Sequence, residues 1–123
     1  AEFLDAHDQV ENVQFAGLPS SPWYERTQEY GGGRGAGSIV AFDVKGGVDA
    51  GKRFVEGCEL HSHVANIGDV RSLVIHPAST THSQLSPEEQ VQSGVGPGLI
   101  RLSVGLETLS DIIADLETAF AAV

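Results

Sequence analysis

An arginine in the middle of an apolar segment is the residue of this sequence that most strongly suggests chemistry. Residues alternate in type along Leu99–Val104, so a strand there would place Arg101 and Ser103 on the face opposite the aliphatic side chains. A guanidinium in that setting needs an anion, and its planar fork suits a carboxylate. Two interpretations stay open: a ligand carboxylate, or an internal ion pair with one of the many Asp and Glu residues.

Hydroxyl and imidazole groups accompany a second apolar segment. Ser72 precedes Leu73–Ile75 and could present a hydroxyl at the start of a strand, although a serine in that place is more often part of a turn. His76 and His82 enclose Pro77–Thr81, which suggests a nucleophile with a base. No G-x-S-x-G sequence accompanies them, so an independent hydrolase is disfavoured.

Patterns for metal and nucleotide binding are incomplete. His61 and His63 would share one side of a strand, yet no third ligand has convincing spacing, so we expect no metal site. Cys58 has no basic neighbour and is expected to be a structural thiol. The glycines of Gly31–Ala36 imitate a dinucleotide-binding loop, but they follow a predicted helix and precede a strand, which is the reverse of the required order.

Size, composition and charge exclude several classes of protein. The 123 residues are the length of one domain, and 41% hydrophobic residues are typical of a packed globular fold. A formal charge of -10 repels nucleic acid and anionic membranes, so neither is expected as a partner. No segment is long and apolar enough to span a membrane, and the single cysteine favours a reducing, cytoplasmic setting. The abrupt start at Ala1–Asp8 suggests a piece of a longer protein.

Hydrophobic periodicity predicts the elements that must position these residues. Strands are expected over 10–16, 38–44, 60–65, 72–75 and 99–104. Helices are expected over 1–8, 22–30, 48–57 and 87–94 and from Thr108 onwards, with a loop over 77–86. Ser21 and Ser86 have the form of helix N-caps, and Thr108–Asp111 resembles a capping box. The last helix carries an apolar stripe of Leu109, Ile112, Ile113, Leu116 and Phe120.

Short strands mixed with helices, without strict alternation, predict an α+β fold. We expect a single domain over residues 1–123, with a small antiparallel or mixed sheet and helices on one face.

Segments spread over the whole chain match one enzyme family in order. They are Gly17–Tyr24, Ser38–Phe42, Ser72–Ser83, Gly98–Glu107 and Asp111–Glu117. Together they resemble the C-terminal domain of the cysteine/methionine-metabolism family of fold-type I pyridoxal-phosphate enzymes. Within that family, the segment over 66–77 is most similar to the O-acetylhomoserine sulfhydrylases, because cystathionine lyases usually carry a glutamate in place of the arginine at 71.

The resemblance implies roles for particular residues. Arg101 would grip the α-carboxylate of the substrate, in agreement with the argument from its strand position. Ser72 would lie at the wall of the active site and bind substrate there. Thr81, His82 and Asn66 would lie near the site, without an individual role that can be assigned.

The resemblance also implies a cofactor, a reaction and partners. Pyridoxal phosphate would be held by a large preceding domain with a Ser-x-Thr-Lys-type motif, whereas Lys45 and Lys52 lack that context, so these 123 residues alone are expected to bind no cofactor and to be inactive. The implied reaction is γ-replacement, which makes homocysteine or methionine from O-acetylhomoserine and sulfide or a thiol. The complete chain would be a homo-oligomer, expected to be a tetramer.

Two alternatives stay open. One is a domain of a cystathionine γ-synthase or lyase. The other is a stand-alone module that binds an amino acid or a protein without catalysis.

Overall fold

The computed structural model describes all 123 residues, and each predicted helix and strand is present with displaced ends. The helices are α1 Glu2–Asp5, α2 Tyr24–Gly31, α3 Gly47–Gly57, α4 Pro87–Gln92 and α5 Leu109–Ala121. The strands are β1 Val10–Gln14, β2 Ile39–Val44, β3 Ser62–His63, β4 Leu73–Ile75 and β5 Leu99–Ser103. The predicted loop after β4 begins with one turn of 3-10 helix over Pro77–Ser79.

The strands form one mixed sheet in the order β1-β2-β5-β4-β3. Strand β5 lies in the middle and pairs antiparallel with β2 on one side and with β4 on the other. Strand β3 pairs parallel with β4 at one edge, and β1 pairs antiparallel with β2 at the other. Arg101 stands at the centre of β5 with Ala41 and Ile75 as its cross-strand neighbours. The predicted α+β fold with a small mixed sheet is confirmed.

The main core lies between one face of the sheet and helices α1, α3 and α5. The Phe54 ring meets the rings of Phe42 and Phe120 edge-on, with centroids 5.4 and 4.8 Å apart. A smaller cluster, formed by Ala78, Val95 and Leu99, covers part of the opposite face. The main core includes Val40, Phe42, Val74, Ile100, Leu102, Phe54, Leu116 and Phe120, all buried.

The start of α2 differs from the prediction. The helix begins at Tyr24 instead of Pro22. The Ser21 hydroxyl accepts the N–H of Trp23 at 3.2 Å, which is a turn bond, so residues 21–23 form a turn before the helix.

The N-cap and the apolar stripe of α5 also differ from the prediction. Thr108 is the N-cap of α5, but its side chain accepts no capping hydrogen bond, so the capping box predicted there is wrong. The complete capping box belongs to α4, between Ser86 and Glu89. Leu109 lies in the first turn of α5 and is 69% exposed, whereas the charged Asp115 of the same helix is buried. No helix combines the length and the apolar character that crossing a bilayer requires.

Candidate functional site

Arg101 projects from β5 on the face of the sheet that lies away from α3 and α5; we call this the arginine face. Its Nη2 donates a hydrogen bond to the main-chain oxygen of Asn66 at 3.0 Å, whereas its Nε is buried and makes no hydrogen bond within the chain. The close contacts between basic and acidic side chains are His61–Asp115 and Arg71–Asp69, and neither involves Arg101. The internal ion-pair interpretation is therefore wrong. A partly buried cation with an unused N–H is suited to bind an anion.

The loop over residues 64–70, which connects β3 to β4, lies along the arginine face. Asn66 approaches Arg101 through its main-chain carbonyl, and its own side chain is exposed. Two residues further along, the N–H of Gly68 donates to Ser103 Oγ at 3.1 Å. Gly68 has a φ of +75°, which a side chain would disfavour. The resemblance implies a place near the site for Asn66, whereas alternation along β5 indicates only that Ser103 shares the face of Arg101, without a role.

Ser72 is fully buried, and its hydroxyl is used within the chain. Its Oγ donates to Glu107 Oε2 at 2.8 Å and accepts the N–H of Gly105 at 2.9 Å, while its own N–H donates to Glu107 Oε1 at 2.7 Å. The N–H bond and, after it, the hydroxyl bond lower the pKa of the Glu107 carboxyl, although burial opposes them. None of the hydrogen bonds of the Ser72 hydroxyl and N–H involves Arg101 or the loop over 64–70. Contact of the Ser72 hydroxyl with a substrate stays a prediction.

Thr81 and His82 lie in the turn that follows the 3-10 helix. Thr81 Oγ1 lies 2.9 Å from His82 Nδ1, and the Gln90 side-chain amide donates to the His82 carbonyl at 2.9 Å. Neither residue makes a hydrogen bond to Arg101 or to the loop over 64–70. The structure therefore does not join them to the guanidinium, and their roles near the site stay predictions.

His76 is a buried structural histidine. Its Nε2 donates to the Pro97 carbonyl at 2.8 Å, because a carbonyl can only accept, and its Nδ1 therefore accepts from Ser79 Oγ at 2.8 Å. Burial lowers the pKa of the imidazole, so His76 is neutral at neutral pH. Both nitrogens are engaged, so His76 joins the turn after β4 to the segment before β5 and is not placed to act as a base.

A second polar cluster lies inside the fold, between α3 and α5. Asp115 accepts the N–H groups of Glu59, Leu60 and His61 at 2.7, 2.8 and 3.0 Å, and its Oδ2 lies 2.6 Å from His61 Nδ1. Burial alone would raise the pKa of the Asp115 carboxyl, but these hydrogen bonds outweigh it and lower that pKa. Periodicity gave no sign of this cluster, because it joins residues 54 positions apart.

The cluster includes Cys58, and potential ligand atoms of Cys58, His61 and Asp115 lie within 4.8 Å of one another. Both Asp115 oxygens already accept two hydrogen bonds each, which leaves no lone pair for a metal ion. Burial, with a smaller contribution from Asp115, raises the pKa of the Cys58 thiol to about 12, as expected of a structural thiol. His61 is buried against Asp115 whereas His63 is exposed in β3, so the two histidines that could begin a metal site lie in different environments.

Comparison with known proteins decides the family. The sequence model for Cys/Met metabolism PLP-dependent enzymes, where PLP is pyridoxal phosphate, matches residues 1–121. The chain belongs to this family. It is 54% identical over 123 residues to an O-acetyl-L-homoserine sulfhydrylase of Corynebacterium glutamicum, which is all of this chain and 28% of that relative. It is 50% identical over 117 residues to an L-methionine gamma-lyase of Porphyromonas gingivalis, covering 95% of this chain and 29% of the lyase.

A solved member of the family has the same fold. The crystal structure of a putative O-acetylhomoserine (thiol)-lyase from Campylobacter jejuni matches with a TM-score of 0.90 and 39% identity, over 98% of this chain and 28% of that one. That protein carries N′-pyridoxyl-lysine-5′-monophosphate at its position 205. The present chain thus spans about 28% of the length of the first relatives it matches.

The lysines of this chain do not suit the family's cofactor. Lys45 is exposed, and its Nζ donates to the main-chain oxygen of Asp8 at 2.6 Å. Lys52 is exposed on α3. A lysine that bonds covalently to a cofactor stands in a desolvated site beside it, whereas both of these side chains are exposed. The residues that fit a ligand here are those around Arg101, and they suit a carboxylate.

Proposed function

We propose that this chain is the substrate-carboxylate-binding domain of a pyridoxal-phosphate transferase of methionine biosynthesis. The complete enzyme would make homocysteine or methionine from O-acetylhomoserine and sulfide or a thiol by γ-replacement. The observation that carries the proposal is the partly buried guanidinium of Arg101, which has no acidic partner and has an unused Nε–H. The 54% identity to a sulfhydrylase supports the choice of reaction within the family.

Arg101 contributes binding and orientation. A guanidinium donates two parallel hydrogen bonds to a carboxylate, which fixes both the position and the rotation of an amino acid. Asn66 holds one terminal nitrogen from the side of the loop, so the fork has a defined orientation before the substrate arrives. Orientation of this kind is the share of the catalysis that a protein adds to a cofactor's own chemistry.

The remaining parts of the enzyme would come from outside these residues. We propose that residues 1–123 form a C-terminal domain whose partner is the larger cofactor-binding domain of the same polypeptide. The complete enzyme would be a cytoplasmic homo-oligomer, namely a tetramer. The exposure of both lysines and the 28% share of the relatives' length support this arrangement. The chain alone would be inactive with O-acetylhomoserine and sulfide even when pyridoxal phosphate is added, and turnover by the isolated chain would contradict the proposal.

Substitution of Arg101 in the complete polypeptide tests the role of the guanidinium. Arg101→Ala removes hydrogen bonds to a charged group worth about 1.5–3 kcal/mol each, and the loss of even one corresponds to about 10- to 100-fold, so we expect the KM for the amino-acid substrate to rise at least about 10-fold. Arg101→Lys keeps the charge without the planar fork, so its KM should lie between those of the unchanged enzyme and Arg101→Ala. Arg53→Ala is the control, because Arg53 is exposed and bonds only the Val123 carbonyl. An unchanged KM in Arg101→Ala would contradict the proposal.

A lyase reaction is the second candidate, because a methionine gamma-lyase is almost as similar to this chain. Assays of the complete polypeptide with O-acetylhomoserine plus sulfide, with methionine and with cystathionine separate the two. The highest kcat/KM with methionine or cystathionine would favour the lyase.

A further inference from the structure

We infer that Ser103 is a positioning residue for the carboxylate site: through the N–H of Gly68 it fixes the loop whose Asn66 carbonyl orients Arg101. The inference rests on the proposed function, since it concerns how the same guanidinium is held. Ser103 itself is 1% exposed and need not touch the substrate.

Loop and strand are joined by two matching contacts. Along β5, Arg101 and Ser103 are two residues apart on the arginine face; along the loop, Asn66 and Gly68 are two residues apart. The Asn66 carbonyl accepts from Arg101 Nη2 at 3.0 Å, and the Gly68 N–H donates to Ser103 Oγ at 3.1 Å. Strand and loop therefore run beside each other in a fixed register, with Ser103 at one contact and the functional arginine at the other.

Within this chain, residues 65–69 have little else to hold them. Apart from the two contacts, they make no hydrogen bond to the sheet, and 65–68 are exposed. The next anchor is at Val70, whose carbonyl accepts from the N–H of Leu106 at 2.9 Å. If Ser103 lost its hydroxyl, the Arg101 side chain would be the only group tying this part of the loop to β5. The Asn66 carbonyl would then move with the loop and would hold the guanidinium less firmly.

Ser103 is well suited to be the fixed point. Its main chain pairs with Ile39 in β2 and with Leu73 in β4, so the residue cannot move without disrupting the sheet. A serine hydroxyl is a short acceptor with few rotamers, which gives the Gly68 N–H one well-defined position. Alanine at 103 would fill almost the same space in the sheet, so the loss would be confined to the contact with the loop.

The test uses the complete polypeptide with its cofactor. We expect Ser103→Ala to raise the KM for O-acetylhomoserine about 3- to 10-fold, with kcat within about twofold, because one neutral hydrogen bond is lost and the chemistry is untouched. Ser103→Thr keeps the hydroxyl and should restore most of the affinity. Ser103→Cys keeps the size but accepts hydrogen bonds poorly, so it serves the same purpose if Ser103→Ala does not fold.

Two further measurements separate positioning from loss of stability. Hydrogen exchange at the amides of 65–69 should become faster in Ser103→Ala, while exchange in α5 stays unchanged. Ile112→Val, a core change that touches neither contact, is the control of similar energetic size and should leave the KM unchanged.

The double variant distinguishes the two proposals. In an Arg101→Ala background, Ser103→Ala should cause no further rise in KM, because its effect passes through the guanidinium. Full additivity would overturn the positioning role, as would an unchanged KM in Ser103→Ala when Arg101→Ala raises it. An unchanged KM in Arg101→Ala itself would overturn the proposed function instead.

Discussion

Asp115 is predicted to be the polar side chain whose removal most destabilises this chain. It lies on α5 with 7% of its surface exposed, and it accepts hydrogen bonds from three main-chain N–H groups and from the His61 imidazole. These bonds fasten the segment after α3 to α5, the two helices that pack against each other over the core. Asp115→Ala would leave all of these donors without their acceptor.

The magnitude follows from which donors water could reach. Glu59 and Leu60 are exposed, so their N–H groups can find water, whereas both bonds to His61 are buried. A buried donor left unsatisfied costs about 1–3 kcal/mol, and Asp115→Ala would leave two such donors, the N–H and Nδ1 of His61. We therefore expect Asp115→Ala to lower the free energy of unfolding by about 2–6 kcal/mol.

The opposite partner should matter much less. His61→Phe preserves an aromatic ring and removes Nε2, a buried nitrogen that has no hydrogen-bond partner. Asp115 would still accept its three main-chain N–H groups. We expect a loss of about 1 kcal/mol or less, because removing the unsatisfied nitrogen offsets part of the lost pair.

Urea unfolding of the 123-residue chain, followed by circular dichroism, measures these differences. The transition midpoint should fall in Asp115→Ala with an unchanged slope m, which indicates lost stability without a change in the surface exposed. Asp111→Asn is the control, since Asp111 is an exposed acidic residue of the same helix. Equal losses in Asp115→Ala and His61→Phe, or a loss below about 1 kcal/mol in Asp115→Ala, would refute this account of the cluster.

Three further predictions concern separate parts of the fold. Gly51→Ala should lower the free energy of unfolding by about 1–3 kcal/mol despite alanine's helix preference, because the added Cβ would lie 2.5 Å from the His76 ring. Gly31→Ala is the control and should cause no such loss, because no atom lies within 4 Å of its added Cβ. Cys58 should react with a thiol reagent only in urea, because burial raises its pKa to about 12, and rapid labelling of the folded chain would contradict its placement. The main-chain N–H of Ser72 is the main cause of the lowered pKa of the Glu107 carboxyl. Its contribution to stability is therefore complete above about pH 5 and is lost as the pH falls through the lowered pKa. Glu107→Gln should make the free energy of unfolding depend less steeply on pH in the acid range.

Local patterns were sufficient to predict the sheet and the direction of Arg101. Alternation along β5 assigned Ile100 and Leu102 to one face and Arg101 to the other, and strand pairing preserves that assignment whatever the neighbouring strands are. The capping residues of α4 were equally predictable, because Ser86 and Pro87 act within one helical turn.

Contacts between distant segments could not be predicted in the same way. Nothing in the helical pattern of α5 distinguishes Asp115 from a solvated charge, because the pattern does not indicate which main-chain N–H groups will face it. The use of the Ser72 hydroxyl by Glu107 was equally hidden, because the two lie 35 residues apart. Such hydrogen bonds depend on where the sheet brings loops together, and that information lies in the tertiary structure.

The position of the guanidinium is set by side chains that it never touches. Ile100 and Leu102 are 0% and 1% exposed, locked in the core on the far side of β5. A shift of the strand by one residue would drive Arg101 into that core and bring both aliphatic side chains out, at a cost of several kcal/mol. The apolar face therefore fixes the register. With the register fixed, the hydrogen bond between Ser103 and the loop influences only the side-chain rotamer of Arg101. We therefore expect the loss of this hydrogen bond to change substrate affinity by a modest factor.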